Sequence, residues 1–397
     1  MRKIALSGLI AMAAVLAATT PASTALAAPR APARAAAVPL ADALYGVSCV
    51  SPSNCLAVGQ DRNIARPIAQ TWNGGAWQTV AVKLPKGATG GSFGHVTCTS
   101  LTYCLAAGFY RDSGGTQFPL ADSWNGKTWA PVQLPGPAGG ASGAHGVSCL
   151  SARSCVVVGA YTGSGGFGNA LADIWNGRTW KQTRPPAPRG AFISSLSAVS
   201  CTSATFCVAD GLYFNKAGGG VLIDWWNGKT WSRMQGLAPK GTTDSYLNAV
   251  SCVSAKACFA VGAAATAKGL RSVAEWWNGQ HWALTTVPWP NGTTNPGLTG
   301  VSCVAANRCV AAGISGFNTM GIGDTGRAAA FTWNGKAWAA TAVGAPSRGN
   351  ASSFNVVTCR TATFCVAVGQ VGPVDSVDGT GLSGFWNAKR WRLVTAK

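Results

Sequence analysis

Val199-Ser200-Cys201-Thr202-Ser203-Ala204-Thr205-Phe206-Cys207-Val208-Ala209-Asp210-Gly211, followed by Leu222-Ile223-Asp224-Trp225-Trp226-Asn227-Gly228-Lys229-Thr230-Trp231, is one copy of a unit that the chain carries seven times. The spacing Cys-x5-Cys recurs as Cys49 with Cys55, Cys98 with Cys104, Cys149 with Cys155, Cys201 with Cys207, Cys252 with Cys258, Cys303 with Cys309 and Cys359 with Cys365, which uses all 14 cysteines. A Val and then a Ser or Thr precede each first cysteine, and a glycine follows each second cysteine four residues later, from Gly59 through Gly211 to Gly369. Further along each copy comes Trp-Asn-Gly-x-x-Trp, from Trp72 and Trp77 in the first to Trp333 and Trp338 in the sixth; the seventh, Trp386 to Trp391, has Ala388 in place of the glycine.

Each copy parses into four short strands. Val-Ser-Cys leads into the first, a tight turn separates the cysteines, and Cys-x-Ala-Val-Gly or its equivalent makes the second. After a loop, an apolar stretch such as Leu222–Trp226 makes the third. Asn-Gly then supplies the positive φ of a hairpin of two or slightly more residues, and the second Trp opens the fourth strand. Four antiparallel strands at a period of roughly 50 residues predict an all-β, seven-bladed β-propeller. The alternative, a solenoid, would want atypical capping repeats at its ends, and here the end copies look like the middle ones. Cysteines on facing strands of a hairpin sit at a separation a disulfide bridges, so one intra-blade disulfide per repeat is expected. Each closes a short loop and contributes about 2 kcal/mol by chain entropy. Seven equivalent pairs without histidine partners suit neither a metal nor a redox role.

The turn between the third and fourth strands resembles the Asp-box of sialidase-type propellers, Ser-x-Asp-x-Gly-x-Thr-Trp. Gly228, Lys229, Thr230 and Trp231 match its end, as do Gly126, Lys127, Thr128 and Trp129, while the box aspartate is replaced by Trp226 or Trp124. An acid stands two residues earlier instead, at Asp122, Asp173, Asp224 and Glu275, with Gln70, Phe331 and Gly384 in the other copies. The resemblance covers about eight residues per repeat and implies a propeller; in that family the Asp-box lies away from the catalytic face, and no catalytic residue carries over. A sialidase-type site further implies a clustered arginine triad and a Tyr activated by Glu, whereas Glu275, the one glutamate of the sequence, occupies a repeat slot. The repeat-locked acids are expected to make structural hydrogen bonds to a turn, and the repeat tryptophans to pack blade against blade.

At the N-terminus, Arg2 and Lys3 precede an apolar run from Ile4 to Ala18 and the small-residue site Ala25-Leu26-Ala27, the layout of a cleaved secretory signal over 1–27. The run is shorter than the ~20 residues of a spanning helix, so export without a membrane span is expected. Residues 28–37 contain only Ala, Pro and Arg and read as a disordered leader, which leaves 38–397 as the propeller domain. Val38–Leu40 is the candidate for an extra edge strand at ring closure. An even cysteine count in an exported chain fits an oxidising, extracellular destination. The 397 residues carry 31 Lys and Arg against 12 Asp and Glu, for a net charge of +19, with 51 glycines and a mean hydropathy of +0.18.

Antiparallel order puts both hairpin turns at one end of every blade and the longer, varied loops at the other. Variable loops on a rigid scaffold are where binding usually resides. The loop end is therefore expected to bind through Arg62, Arg66, Arg111, Tyr161, Tyr213, Arg271, Trp289 and Arg327; Trp289, between Pro288 and Pro290, is expected to be exposed. The turn end is basic, and Lys127, Arg178, Lys229 and Lys336 are its candidate polyanion contacts. Glycoside hydrolysis would need two convergent carboxylates, and Asp61, Asp112, Asp210, Asp244, Asp324, Asp375 and Asp378 are the loop acids that could provide them. His95, His145 and His281 have no metal-ligand spacing. No Ser-His-Asp set, phosphate loop, cofactor or metal site is indicated, and a copper site of the galactose-oxidase kind would need a spare cysteine. The function expected is a secreted, monomeric, non-catalytic binder of a glycan or anionic envelope polymer, not of specific nucleic acid. An exo-acting glycosidase and a purely structural envelope protein are the alternatives.

Overall fold

The computed structural model describes residues 42–136, 141–163, 168–316, 326–344, 350–373 and 379–395. The proposed signal and leader, Val38–Leu40, Asp324, Asp375 and Asp378 lie outside them. The described residues form seven four-stranded antiparallel sheets, each built from four consecutive strands. In the first blade these are β1 (Asp42–Ser51), β2 (Asn54–Asp61), β3 (Arg66–Trp72) and β4 (Trp77–Val80). The first strand of each blade lies against the first strands of both neighbours, and that of the seventh blade returns to that of the first. The result is a closed seven-bladed propeller with its first strands around the axis.

Every Cys-x5-Cys pair faces itself across the first hairpin of its own blade and is bonded, as expected. Cys49 is joined to Cys55, Cys98 to Cys104, Cys149 to Cys155, Cys201 to Cys207, Cys252 to Cys258, Cys303 to Cys309 and Cys359 to Cys365, with Cα atoms 3.9–4.0 Å apart. The second cysteine of each pair sits deep in the sheet: Cys55, Cys104, Cys155, Cys207, Cys258, Cys309 and Cys365 are all buried, so each staple also belongs to the core. The paired tryptophans face one another too, with ring centroids 5.4–5.7 Å apart in all seven blades. In the turn between them the Asn side chain accepts from two following backbone N–H groups, as Asn227 Oδ1 does from Lys229 and Thr230 at 2.9 and 2.8 Å. Positive φ is confined to the next residue, for instance 92° at Gly228 and 70° at Ala388.

The hydrophobic core is divided among the seven seams. Each apolar cluster draws on two adjacent blades, and the one built from Leu44, Val47, Val356, Val368 and Phe385 joins the seventh to the first. Polar bonds repeat across these seams. Ser48, Ser148, Ser200, Ser251 and Ser302 each accept, at 2.9–3.1 Å, from the backbone N–H of the first cysteine in the next blade. This is what the residue before that cysteine does. Trp231, Trp338 and Trp391 donate their indole N–H at 3.0–3.1 Å to Thr183, Thr285 and Thr341 of the preceding blade. At the closing seam, Trp77 donates to Ser383 at 2.9 Å.

Two repeat departures yield predictions. Ala388 holds the left-handed conformation that glycine holds in the other six turns, at a cost of about 1 kcal/mol for a residue with a Cβ. Ala388→Gly should therefore raise the midpoint of denaturant unfolding; a lower midpoint contradicts the turn geometry. Where the preceding blade has Val80 instead of Thr, the Trp129 indole N–H is buried without a hydrogen-bond partner. Val80→Thr supplies one and should stabilise by about 1 kcal/mol in the same measurement, whereas Val58→Thr, at an apolar seam position, should destabilise.

Candidate binding surfaces

The axis is shaped by a defect that all seven first strands share. Pairing slips by one residue between Leu44 and Gly46, and at the corresponding place in every other blade. The inserted residue, always four before the first cysteine, is Tyr45, Gly94, His145, Ser197, Asn248, Thr299 or Asn355. A β-bulge of this kind re-aims a side chain. The glycine four residues after the second cysteine explains itself here. A Cβ on Gly59, Gly108, Gly159, Gly211, Gly262, Gly313 or Gly369 would lie 1.9–2.2 Å from a first-strand carbonyl oxygen, so no other residue fits opposite the bulge.

Four of the inserted side chains reach the next blade. Asn248, Thr299 and Asn355 donate to the carbonyls of Leu298, Phe354 and Leu44 at 2.8, 2.6 and 2.8 Å. His145 Nδ1 lies 3.0 Å from the Leu196 carbonyl, which requires the proton on that nitrogen. The Asn355 bond crosses from the last blade to the first, and among the described residues every blade is built from four consecutive strands, with none interleaved. In the loop-end half of the channel all seven blades line a cavity of about 360 Å³, with Tyr45, His95, His145, Ser197, Tyr246 and Asn248 among its polar walls. Burial lowers the pKa of both histidines, that of His95 to about 4, so both are neutral near pH 7. Sequence reasoning passed over this site; the signal available to it was a polar residue recurring four before the cysteine in an otherwise apolar strand.

The loop-end candidates are not brought together. Arg62 is tied by its guanidinium to Gln370 across the closing seam. Arg111 lies 5.3 Å from the Phe109 ring centroid. Arg66, Arg271 and Arg327 are exposed on three different blades. Tyr161 and Tyr213 are half-buried strand residues, and the Tyr213 ring covers its cross-strand partner Gly220. The expected exposure of Trp289 is corrected: its indole N–H donates to Ser272 at 2.9 Å and its ring packs edge-on against Phe331 at 4.8 Å. Phe331 fills the slot that holds an acid in the four middle copies, and the apolar slot draws the tryptophan in.

The acids are likewise engaged. Asp210 is no loop acid: it is a fully buried second-strand residue facing the next blade, at a position that is Val or Ala in the other copies. Asp61 accepts from Asn63 N at 2.9 Å, Asp112 from Gly114 and Thr116 N at 2.9 Å, and Asp244 from Gly219 N at 2.7 Å. The repeat-slot acids are buried within the sheets rather than bonded to their own turns. Glu275 accepts from Leu237 N of the preceding blade at 3.0 Å, and Asp224 pairs with Arg233 at 3.1 Å. Burial raises Asp122 and Asp173 to about 7 and Glu275 to about 8; it raises Asp224 only to about 6, because Arg233 pulls the other way. Asp210 is pushed well above the carboxylate range by burial, and Glu275 facing it across the seam adds to the shift.

At the turn end, Lys127, Arg178, Lys229 and Lys336 are all exposed. So are Arg153, Lys256, Arg308, Arg360, Lys389 and Arg390 in the same two sets of turns, which contain no acid. Beside Arg390, an aromatic groove at the closing seam is covered by Arg392, whose guanidinium lies 5.1 Å from the Phe385 centroid and 5.9 Å from that of Trp72.

A pH dependence follows from the raised acids. Their folded pKa values exceed the unfolded values of about 4, so the folded state binds more protons and stability is lost as pH rises through the folded values. The neutral histidines act in the opposite sense, losing stability below about pH 6.5, so the window that isolates the carboxylates runs from about pH 6.5 to 8.5. Melting temperature should fall across that window, and Glu275→Gln, which keeps an acceptor for Leu237 N, should flatten the fall and raise the melting temperature at its alkaline end. A flat or rising wild-type profile would contradict the burial of these groups.

No protein-family model and no curated protein sequence matches the chain. Among solved structures it is similar to the BP39L lectin from Burkholderia pseudomallei, with a TM-score of 0.57 at 16% identity, covering 90% of this chain and 100% of that one. It is also similar to a polysaccharide lyase, an ulvanlyase bound to -[GlcA(1-4)Rha3S]-, with a TM-score of 0.54 at 10% identity over 87% and 92% of the two chains. YCF48 bound to D1 peptide gives a TM-score of 0.51 at 14% identity over 85% and 95%. Identities this low establish a shared propeller fold and nothing further.

Proposed function

We propose that the protein is a non-catalytic binder of an anionic glycan polymer of the cell envelope, which it engages with the turn end of the disc. The observation that carries this is the set of ten exposed cations named above, arrayed on turns that hold no carboxylate. Like charges on a rigid scaffold sum to a field that draws in a polyanion. The nearest acids offset that field less than their number suggests. They are buried inside the blades, and Asp122, Asp173 and Glu275, raised to about 7, 7 and 8, are substantially protonated near neutral pH. Of the proteins that share this fold, BP39L is a lectin and the ulvanlyase is bound to -[GlcA(1-4)Rha3S]-, which is in keeping with a glycan partner. The glycosidase alternative gains no support from Asp61, Asp112, Asp210 or Asp244, which are committed to backbone bonds or to the core. The fourteen paired cysteines fit an exported protein.

Attraction between exposed charges fades as the Debye length falls to ~3 Å at 1 M salt. Retention on immobilised heparin or on purified wall polymer should therefore drop steeply between about 0.1 and 1 M salt. It should drop again when Lys127, Arg178, Lys229 and Lys336 are changed together to Gln, exposed substitutions that leave stability within about 0.5 kcal/mol each. Retention indifferent to both changes would remove the turn end from binding.

A further inference from the structure

We infer that the axial cavity is a second, separate binding site, and that its ligand is one neutral pyranose residue. The cavity, about 360 Å³, is at the small end of the range for ligand pockets and suits a single sugar ring. Its polar groups come from different blades and so surround the axis: Tyr45 from the first, His95 from the second, Ser197 from the fourth, Tyr246 and Asn248 from the fifth. The hydroxyls of Tyr45, Ser197 and Tyr246 make no hydrogen bond to any described residue. His95 Nδ1 is buried without a well-formed hydrogen bond, although the Val147 backbone lies close enough to favour a proton on the ring. Asn248 spends its amide N–H on the Leu298 carbonyl and leaves its oxygen as an acceptor. Unpaired donors and acceptors inside a protein cost free energy unless something polar meets them. A pyranose lying across the axis has that form, with hydroxyls around its rim and C–H faces to set against apolar wall groups such as Leu298 and Val356.

The charge of the ligand follows from what the wall lacks. No Lys, Arg, Asp or Glu among the described residues lines the cavity, and both histidines are neutral near pH 7. A uronate or amino sugar entering would shed water with no counter-charge to replace it. The axial site therefore selects neutral sugars, the opposite of the turn end, and does not depend on the anionic-polymer reading.

Gly94 is the control built into the ring. It is the one inserted residue without a side chain, its φ is not in the left-handed region, and a Cβ there would meet nothing nearer than the His145 carbonyl oxygen at 3.4 Å. Calorimetric titration of the full chain with methyl glycosides of neutral hexoses and deoxyhexoses, at about 0.1 and 1 M salt, tests the assignment. One-to-one binding insensitive to salt is expected for at least one of them, with the matching uronic acid markedly weaker. Tyr45→Phe and Tyr246→Phe, which keep the rings and remove one hydroxyl each, should weaken binding by about 3–10-fold. Gly94→Leu should abolish binding while the melting temperature stays within a few degrees, and the four-fold turn variant should bind the sugar like the wild type. Three results would each overturn the assignment: no saturable binding by any neutral sugar of the panel, preference for the uronic acid, or affinity unmoved by the Phe and Leu variants.

Discussion

The glycine-backed bulge in the innermost strand of each blade is the constraint on which the rest of the molecule depends. Inserting one residue leaves a side chain aimed out of the sheet and brings a first-strand carbonyl so close to the second strand that a Cβ there would sit at 1.9–2.2 Å. With glycine opposite, the inserted side chain of one blade can reach the backbone carbonyl of the next. A ring of flat sheets would leave such carbonyls near the axis to be satisfied by other means. The bonds from His145, Asn248, Thr299 and Asn355 run in the same rotational sense, and so do those that tie Ser48, Ser148, Ser200, Ser251 and Ser302 to the next blade. Because every bond joins nearest neighbours, the seam between the last blade and the first needs nothing special. Asn355 to Leu44 repeats there what the other seams do. Trp77 finds its acceptor in Ser383, cross-strand from Val394, which holds the slot of Thr183, Thr285 and Thr341, and among the described residues no strand is shared.

Blade number, strand order, disulfide pairing and the tryptophan pairs were legible in the sequence because each is a local, repeated pattern: two cysteines a hairpin apart, or two indoles across a four-residue turn. What escaped it depends on contacts between copies. The Ser or Thr before each first cysteine and the glycine after the second are visible as a motif, but the purpose of the five serines lies in the next blade and that of the glycines on the opposite strand. Asp210 reads as a loop acid when judged by its neighbours in the chain; only alignment to Val58, Val158 and Val261 at the same register marks it as a core position. Trp289 misled for a related reason. Its flanking prolines suggest an exposed connector, whereas the apolar Phe331 in the next blade provides a place for the indole to fold back. The loop-end arginines have no repeat to fix them, and the five end up spread over four blades.

Acids and bases are sorted by depth as well as by end. The excess of Lys and Arg gives the chain its net charge of +19, and at the turn end those side chains stand in solvent. Most described carboxylates are turned inward, where desolvation holds them near neutrality or a backbone N–H occupies them. A formal count therefore understates how positive the surface is near pH 7. It also means that raising the pH changes the interior before it changes the turn end, since lysine and arginine keep their charge well beyond the range in which the buried acids ionise. Salt therefore acts on the surface attraction to a polyanion, whereas pH acts first on stability and reaches the surface field only through the ionisation of the buried acids.

The repeat itself limits where specificity can arise. Backbone geometry makes the seven inserted positions equivalent, so any selectivity at the axis has to come from the side chains that differ among them. Those on the third, fifth, sixth and seventh blades are donors committed to a neighbouring carbonyl and are held in place by it. The remaining three, Tyr45, Gly94 and Ser197, are released from that task, and they belong to the first, second and fourth blades. The committed residues give the channel a rigid rim, while the released ones leave hydroxyls and open space on one side of it. A ring with seven identical donors, each committed to a neighbouring carbonyl, would be more regular and would lack the released hydroxyls of Tyr45 and Ser197. The departures from the repeat, rather than the repeat, are what make the axis a site.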